Sequence, residues 1–525
     1  MADFPDPGNQ RSVAALGRTS VGGGAGENSP LASGGSPTLC GRAFAPVSIG
    51  FLVYFRVLFG LLVLSNVIFY YAKDLVHVRF VVPHFHFSYI GFDWVRPWPG
   101  IGAHLHLIAL GLLAVFLALG MFYRITSVLF ALGFTHFFLI DKAYYQNHYY
   151  LLCTLSWVMV LLPAHRAFSV DVLRNRSIES STVSAWMLWL LRFHIGVPYF
   201  YGGIAKLNSD WLAGEPMRGV LASRTWYPVI GRFFAEDWCV RLFAHGGLWL
   251  DLLVVPALLW RRTRLVAFTA ALLFHLMNHT LFHIGIFPWF MIFATAVFFR
   301  PDWPQRLLRV SAATVESPLR ALRWSNLSHS RKAGVLLVGS WVIFQLFWPL
   351  RHFAYVGNPS WTERGRYFAW HMLLRVKVCH VKFYLTDANT GRTGTIIPAD
   401  YLVPFQFMKM SKDPYMIQEF SRYIAEEFRK AGQGDMEVRA VVLVSLNGRK
   451  PQLLIDPTVN LAAQPRAFAK PDWLVPLTEP LRKEAWNVPK EEWKDHVELP
   501  PLLFLKSRAV APDGGESKRS LKETN

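Results

Sequence analysis

Charge is scarce in this chain, and negative charge is scarcest. Only 17% of the 525 residues are charged, against 53% hydrophobic, and 35 Asp and Glu face 54 Lys and Arg, a formal charge of +19. Length alone allows about two to four soluble domains. The hydrophobicity argues otherwise, because several runs approach or exceed the roughly 18–20 apolar residues that cross a bilayer. The positive excess then reads as cytoplasmic loop charge facing anionic lipid. Neither zinc-finger spacing nor an aromatic–basic pattern typical of RNA binding occurs, which argues against a nucleic acid partner. Cysteine is equally sparse: Cys40, Cys153, Cys239 and Cys379. No C-x-x-C spacing occurs, which argues against a structural zinc site or a redox dithiol. A Cys239–Cys379 disulfide stays open if both face an oxidising compartment.

What is present is a polytopic α-helical membrane protein with a small C-terminal α+β unit. About nine spans are expected near 46–72, 102–122, 126–140, 149–164, 184–205, 243–260, 263–280, 284–299 and 333–350, the third, fourth and eighth of them short. Residues 1–44 are rich in Gly, Ser and Pro and read as a disordered tail without the apolar core of a signal peptide. With the N-terminus cytoplasmic, "HRAFSVDVLRNR", "RRTR" and the Arg-rich 300–332 fall inside, as the positive-inside rule asks. Nine spans place 351–505 on the extracytoplasmic side, lumenal or periplasmic. That stretch reads as two hairpins around a helix: "HVKFYLTDANTGRTGTIIP", then "DPYMIQEFSRYIAEEFRKAG" opening on an Asp-Pro cap, then a hairpin turning at Asn447-Gly448. Residues 506–525 read as a second disordered tail.

Ionisable groups at membrane spans are costly and are candidates for function. Four clusters stand out. "DKAYYQNHYY" carries Asp141, Lys142, Asn147 and His148, and fits either an outer loop with interfacial tyrosines or a site. Lys206 ends the run "YFYGGIAKLNSDW". It is either a lysine snorkelling to the interface or, after a Gly-Gly pair that permits close helix approach, a buried functional amine. His275, Asn278, His279 and His283 share one helix face. They suit interhelical hydrogen bonding, or a metal, since His at i and i+4 reach one ion. Arg224, with Trp370, His371, Arg375 and Lys377 further on, sets cations beside aromatics. That suits an anionic substrate or a solvated basic face. The expected topology puts all four clusters at the outer level of the bundle. There a lipid-soluble molecule and a polar substrate can meet.

In these pieces and in "LGMFYRITSVLF", "HGGLWLDLLV", "FRPDWPQRL", "HVKFYLTDANTGRTG" and "IDPTVN", in order over roughly 45–475, the sequence resembles the vitamin K-dependent gamma-glutamyl carboxylase family, whose membrane part is the HTTM domain. The resemblance implies that Lys206 is the catalytic base and that His148 matters for activity. It places Asn147, His275 and Asn278 at the quinol. Arg224, Trp370 and Arg375 fall in the region that receives the glutamate-bearing peptide. Ala205-Lys206 replaces the lysine pair of animal members, no cysteine pair matches their disulfide, and their longer C-terminal region has no counterpart. The resemblance therefore implies a short, bacterial member.

The implied reaction is gamma-carboxylation of peptidyl glutamate by CO2, coupled to oxidation of reduced vitamin K by O2 to the epoxide, with no metal. No side chain is basic enough to take the glutamyl Cγ proton, and oxidation of the hydroquinone supplies the missing basicity. Lys206 begins that oxidation as an unprotonated amine, although a free lysine near pKa 10.4 is almost wholly charged at neutral pH. Burial at an apolar helix end is expected to make Lys206 neutral. Two readings compete: a non-catalytic membrane protein of the same fold, and a histidine-metal membrane oxidoreductase.

Overall fold

The computed structural model describes residues 39–282, 284–309, 324–466 and 471–500. The two tails lie outside these residues apart from 39–44 and, at the far end, nothing beyond 500; His283 lies outside them too. Within the expected N-terminal tail, Leu39–Ala43 instead form a short helix.

Each expected apolar run contains a helix: α1 (Gly50–Ala72), α2 (Gly102–Leu119), α3 (Tyr123–Leu139), α4 (Asn147–Leu161), α5 (Ala185–Lys206), α6 (Asp237–Leu259), α7 (Arg264–Phe282), α8 (Phe287–Thr295) and α9 (His329–Phe347). Among the described residues, five helices are long and apolar enough to cross a membrane: α1, α2, α6, α7 and α9 with its extension to Ala354. The other four of the nine expected spans, α3, α4, α5 and α8, do not reach that length and hydropathy, and for α4 and α5 the reason is physical. α4 has 15 residues, about 22 Å at 1.5 Å per residue, short of a hydrocarbon core of about 30 Å. It is also encased, with residues on every side buried, His148 through Ser156 without a break. α5 is long enough but carries Arg192, His194 and Lys206. α4 is apolar because protein surrounds it, a pattern that hydropathy cannot separate from lipid exposure.

α5 and α6 make the close contact that positions the site. A Cβ on Gly203 would stand 2.6 Å from Leu252 Cδ2 and 3.1 Å from the Leu252 backbone nitrogen. The Gly-Gly pair thus lets the two backbones approach, as its sequence suggested. α5 ends at Lys206 because Asn208 turns the chain: its side chain accepts from Trp211 N at 3.0 Å and opens the short helix Ser209–Leu212.

Beyond the bundle, four strands form an antiparallel sheet: β1 (Lys377–Asp387), β2 (Thr393–Ile396), β3 (Met436–Leu446) and β4 (Gln452–Leu453), in spatial order β2-β1-β3-β4. β1 pairs with β3 along its whole length, from Lys377 opposite Leu446 to Asp387 opposite Met436. Two helices, α10 (Pro404–Met410) and α11 (Pro414–Lys430), separate the hairpins. α11 starts where Asp413 accepts from Tyr415 N and Met416 N and lays Met416, Ile417, Phe420 and Ile424 on the sheet. Asn447 and Gly448 have φ of 51° and 75°, the left-handed pair that a tight two-residue hairpin turn requires. All four cysteines are free; Cys239 is buried on α6 and Cys379 lies in β1, so the open Cys239–Cys379 pairing does not occur.

Two joints fasten the sheet unit to the bundle. Arg449 grips Asp210 with both terminal nitrogens, each at 2.7 Å, and Asn447 Nδ2 adds 2.9 Å. Gln406 Nε2 donates to Asp141 at 2.8 Å, and Lys142 reaches Glu419 at 3.3 Å. Between the bundle and the first strand, Glu363, fully buried, gathers Lys377 at 2.6 Å, Arg375 at 2.8 Å and Arg366 at 3.0 Å. Burial alone would push the Glu363 carboxyl up, but Arg375, Lys377 and Arg366 outweigh it and hold it at about 2.

Two outcomes test this packing. Gly203→Val is expected to cost about 1–3 kcal/mol by overpacking α5 on α6. Gly246→Ala on the open side of α6, where a Cβ meets nothing, should leave the thermal midpoint of the detergent-solubilised chain unchanged or raised. Glu363→Gln strands the buried Lys377 ammonium and should cost about 3–5 kcal/mol. The double variant Glu363→Gln, Lys377→Met should lose less than Glu363→Gln alone, measured by the same thermal unfolding.

Candidate functional site

Lys206, the last residue of α5, points into the bundle and is 5% exposed. Its Nζ bonds to Asp251 Oδ2 on α6 and lies 5.2 Å from the centre of the Trp211 ring. Trp211 is fixed in turn by its indole N–H, which donates to Ala244 O at 2.8 Å. The expectation of an amine alone in apolar surroundings is therefore corrected: a carboxylate, 3% exposed, lies against it. Asp251 was not singled out from the sequence. Its signal was present, an acid in the middle of an apolar span, but nothing in the spacing says which helix faces it.

The pair sits on the wall of a cavity of about 770 Å³. Asn147, His148, His275 and Asn278 line the same cavity, so the structure brings together five of the expected residues from three helices. Much of the remaining wall is aromatic, with Phe69, Phe243, Phe274, Phe282 and Trp289. His148 stacks on Phe287 at 5.9 Å. His275 Nε2 meets Tyr199 OH at 2.7 Å, and that hydroxyl meets Thr295 Oγ1 at 3.2 Å. His275 Nδ1 and His279 Nδ1 are buried without a hydrogen-bond partner. Buried polar atoms rarely lack partners, so these two suit a ligand that brings polar atoms of its own. Asn147 is engaged at both ends of its amide: it accepts from Tyr145 OH at 2.9 Å and donates to His371 O at 3.0 Å. Among the described residues no three His, Cys, Asp or Glu are grouped to hold a metal ion.

A second, smaller chamber of about 250 Å³ adjoins the first, and Tyr145, Arg366, His371, Leu373 and Lys409 line both. Lys142, Arg366, Arg375, Lys409 and Lys412 make it cationic, with Asp413 the acid in its wall. Glu363 absorbs two of those cations and Glu419 another. Lys409 and Lys412 have no ion-pair partner among the described residues. Burial pulls the Lys409 amine down to about 8, with Arg366, Arg375 and Lys412 pulling the same way and Glu363 opposing. Lys409 and Lys412 were not anticipated; they stand on and just after α10, far in sequence from the other cations.

The expected glutamate-binding residues divide. Arg375 lines the cationic chamber. Trp370 lines neither chamber: it is 1% exposed and packs on Tyr150 at 5.1 Å, as an apolar anchor for the segment it belongs to. Arg224 also lines neither; it lies over Trp226 at 5.9 Å, in a turn that closes on itself where Gly231 N donates to Tyr227 O. The segment around Trp370 is strained. Glu363, Phe368, Trp370 and Leu373 all have φ between 55° and 61°, a region that costs non-glycine residues about 1–3 kcal/mol each and that clusters at functional sites. This strain lets one short stretch send Glu363 and Arg375 to the sheet, Trp370 into the bundle and His371 to the chambers. Met372 reaches the other way: its Cε lies 2.9 Å from where a Gly202 Cβ would stand, beside Asp251.

Comparison with known proteins comes to the same two parts. A family model for the HTTM domain matches residues 44–303, and one for the vitamin K-dependent gamma-carboxylase, lumenal domain, matches residues 330–480. No solved structure matches the chain. The two matches cover the helical bundle and the sheet unit whose walls together enclose the chambers, and the chain belongs to the vitamin K-dependent gamma-glutamyl carboxylase family.

Proposed function

We propose that this membrane protein carboxylates peptidyl glutamate at the γ carbon, using reduced vitamin K, O2 and CO2, and that the large cavity takes the quinol and the cationic chamber the glutamyl side chain. The observation that carries the reading is the amine of Lys206, held by a buried carboxylate on the wall of an aromatic cavity that opens into a chamber of cations. When bound, reduced vitamin K supplies, through its oxidation to the epoxide by O2, the strong base that no side chain can provide.

The chain's own residues do the rest. The form of the Lys206–Asp251 pair that takes a quinol hydroxyl proton is the one that holds no proton, a neutral amine beside a carboxylate. The hydroxyl proton passes to the Lys206 nitrogen and the quinol is left as its oxyanion. The pair is then ammonium and carboxylate, and Asp251 stabilises that charge and fixes its direction, as the carboxylate behind a catalytic histidine does. His148, His275 and Asn278 orient the quinol oxygens, and the aromatic wall keeps water from the glutamyl carbanion. Asn147 acts through the His371 backbone and so holds the edge between the chambers. Arg366, Arg375, Lys409 and Lys412 neutralise the glutamyl carboxylate. We place the chambers and the sheet unit on the extracytoplasmic side, with the N-terminus cytoplasmic. The peptide then enters from water and the quinol from lipid.

Lys206→Ala is expected to abolish both epoxide formation and incorporation of labelled CO2 into a Glu-containing peptide, by about 10³-fold or more. An intact Lys206→Ala variant with full epoxidation overturns the assignment. Asp251→Asn, which keeps the shape and removes the charge, should lower kcat for both by about 10²–10³-fold and leave the KM for quinol near its wild-type value. The chamber also has a pH signature. Lys409 is charged below about 8 and neutral above it, so affinity for the glutamyl carboxylate falls as pH rises through that value. The KM for peptide should climb between pH 7 and 9, and Lys409→Met should start high and flatten that climb.

A further inference from the structure

Among the described residues His371 is the only histidine with both ring nitrogens themselves fully buried and without a hydrogen-bond partner. It stands on the edge shared by the two chambers and lines both. Its place is fixed from several directions. Asn147 holds its backbone carbonyl at 3.0 Å, the His352 ring meets it edge-on at 4.5 Å, and left-handed residues at Trp370 and Leu373 flank it. His352 has its own Nδ1 at 2.8 Å from Pro349 O. Burial pushes the His371 imidazole down to about 3, His352 and Arg366 push the same way, and Glu363 opposes them. At neutral pH the ring is therefore uncharged, with one N–H to donate and one nitrogen to accept.

A structural histidine in this setting would use at least one nitrogen, because buried polar atoms are satisfied in the great majority of folded proteins. A metal ligand would have companions, and no such group exists among the described residues. A general base working near neutrality would titrate there, and this ring does not. What the surroundings fit is a neutral donor waiting for an acceptor that arrives with the substrate. The cations of the smaller chamber mark the acceptor as a carboxylate.

We propose that His371 donates its ring N–H to the γ-carboxylate of the bound glutamyl side chain as the Cγ–H bond breaks, an inference that rests on the carboxylase reading above. In that step the Cγ proton passes to the base generated by quinol oxidation, and the C–H electron pair moves into the carboxylate, which gains a second negative charge. The pair then forms the C–C bond to CO2, one C–O π bond of CO2 opens, and the original carboxylate returns to a single charge. His371 keeps its proton throughout. Its hydrogen bond strengthens only while the extra charge exists, so it favours the transition state over the ground state. The lysines and arginines of the chamber already hold the singly charged carboxylate of the ground state, so much of their attraction is spent on binding, whereas a neutral donor gains most of its strength when the second charge develops. His371 thus divides labour with them: they set affinity, and it sets rate.

The test uses the full-length chain in lipid nanodiscs with reduced vitamin K, O2, labelled CO2 and a Glu-containing peptide. Epoxide and carboxylated peptide are measured separately in wild type, His371→Leu, His371→Met and His371→Gln. The expected result is a loss of about 10² in carboxylation kcat for the Leu and Met variants. Their KM for peptide should stay within about threefold of wild type, with a much smaller loss of epoxide, so that the ratio of epoxide to carboxylated peptide rises steeply. His371→Gln, a neutral N–H donor, should recover at least tenfold over Leu. Thermal midpoints separate folding from chemistry; if Leu does not fold, the Met and Gln variants decide. Equal loss of both products in a folded Leu or Met variant, or a Gln variant no better than these, overturns the inference and leaves the carboxylase reading standing. A wild-type chain that makes neither product overturns both.

Discussion

A carboxylate buried against an amine inside an apolar bundle is the contact on which the site depends. Neither Lys206 nor Asp251 is tolerable alone at that depth, since an unpaired buried ion costs several kcal/mol. Each therefore needs the other's helix at a fixed distance. Gly202 and Gly203 supply the distance by letting α5 and α6 touch. Trp211 closes over the amine and is itself pinned to α6 through Ala244. Asp210, a few residues past the lysine, is gripped by Arg449 from the hairpin turn of the sheet unit. The end of α5 is thus tied from two sides, by α6 below and the sheet above, and the amine between them has little freedom.

The second organising element is Glu363. One buried carboxylate holding Arg366, Arg375 and Lys377 turns a dense knot of like charge into a wall with a small surplus. The surplus, on Lys409 and Lys412, faces the chamber. The strained segment between Glu363 and Leu373 makes this arrangement geometrically feasible, because alternating left-handed residues throw successive side chains in different directions. Strain of this kind persists only where surrounding contacts over-determine the backbone. Here they do: Trp361 just before the segment and Trp370 within it are fully buried.

Local pattern was legible in the sequence and partnership was not. The apolar runs located every helix of the bundle, the Asp413-Pro414 cap and the Asn447-Gly448 turn located the sheet unit's elements, and the Gly-Gly pair pointed to close packing beside Lys206. Each of those signals is read within one element. Asp251, Asp210 and Glu363 escaped because an acid in a sequence does not disclose which cation faces it across a fold. Trp370 and Arg224 line neither chamber, and their place was not legible for the related reason that a cation beside an aromatic looks alike whether it faces a ligand, solvent or core. Which of the nine runs cross a bilayer was not legible, because residues encased by protein are as apolar as residues bathed in lipid. His371 stood in plain view within a basic stretch. Only the unmade hydrogen bonds around its ring, which are features of space, set it apart from its neighbours.

The encasement of α4 has a consequence for the membrane the protein lives in. Mismatch between a protein and its bilayer is met by tilting or compressing the helices that touch lipid. α4, which carries Asn147 and His148, is wrapped by other helices along most of its length. Changes in bilayer thickness are therefore absorbed by the outer shell, α9 above all, whose only buried residue is Gln345. The floor on which the reacting groups stand keeps its depth. Such a protein can move between thin and thick membranes with its shell adjusting like a gimbal around a level core.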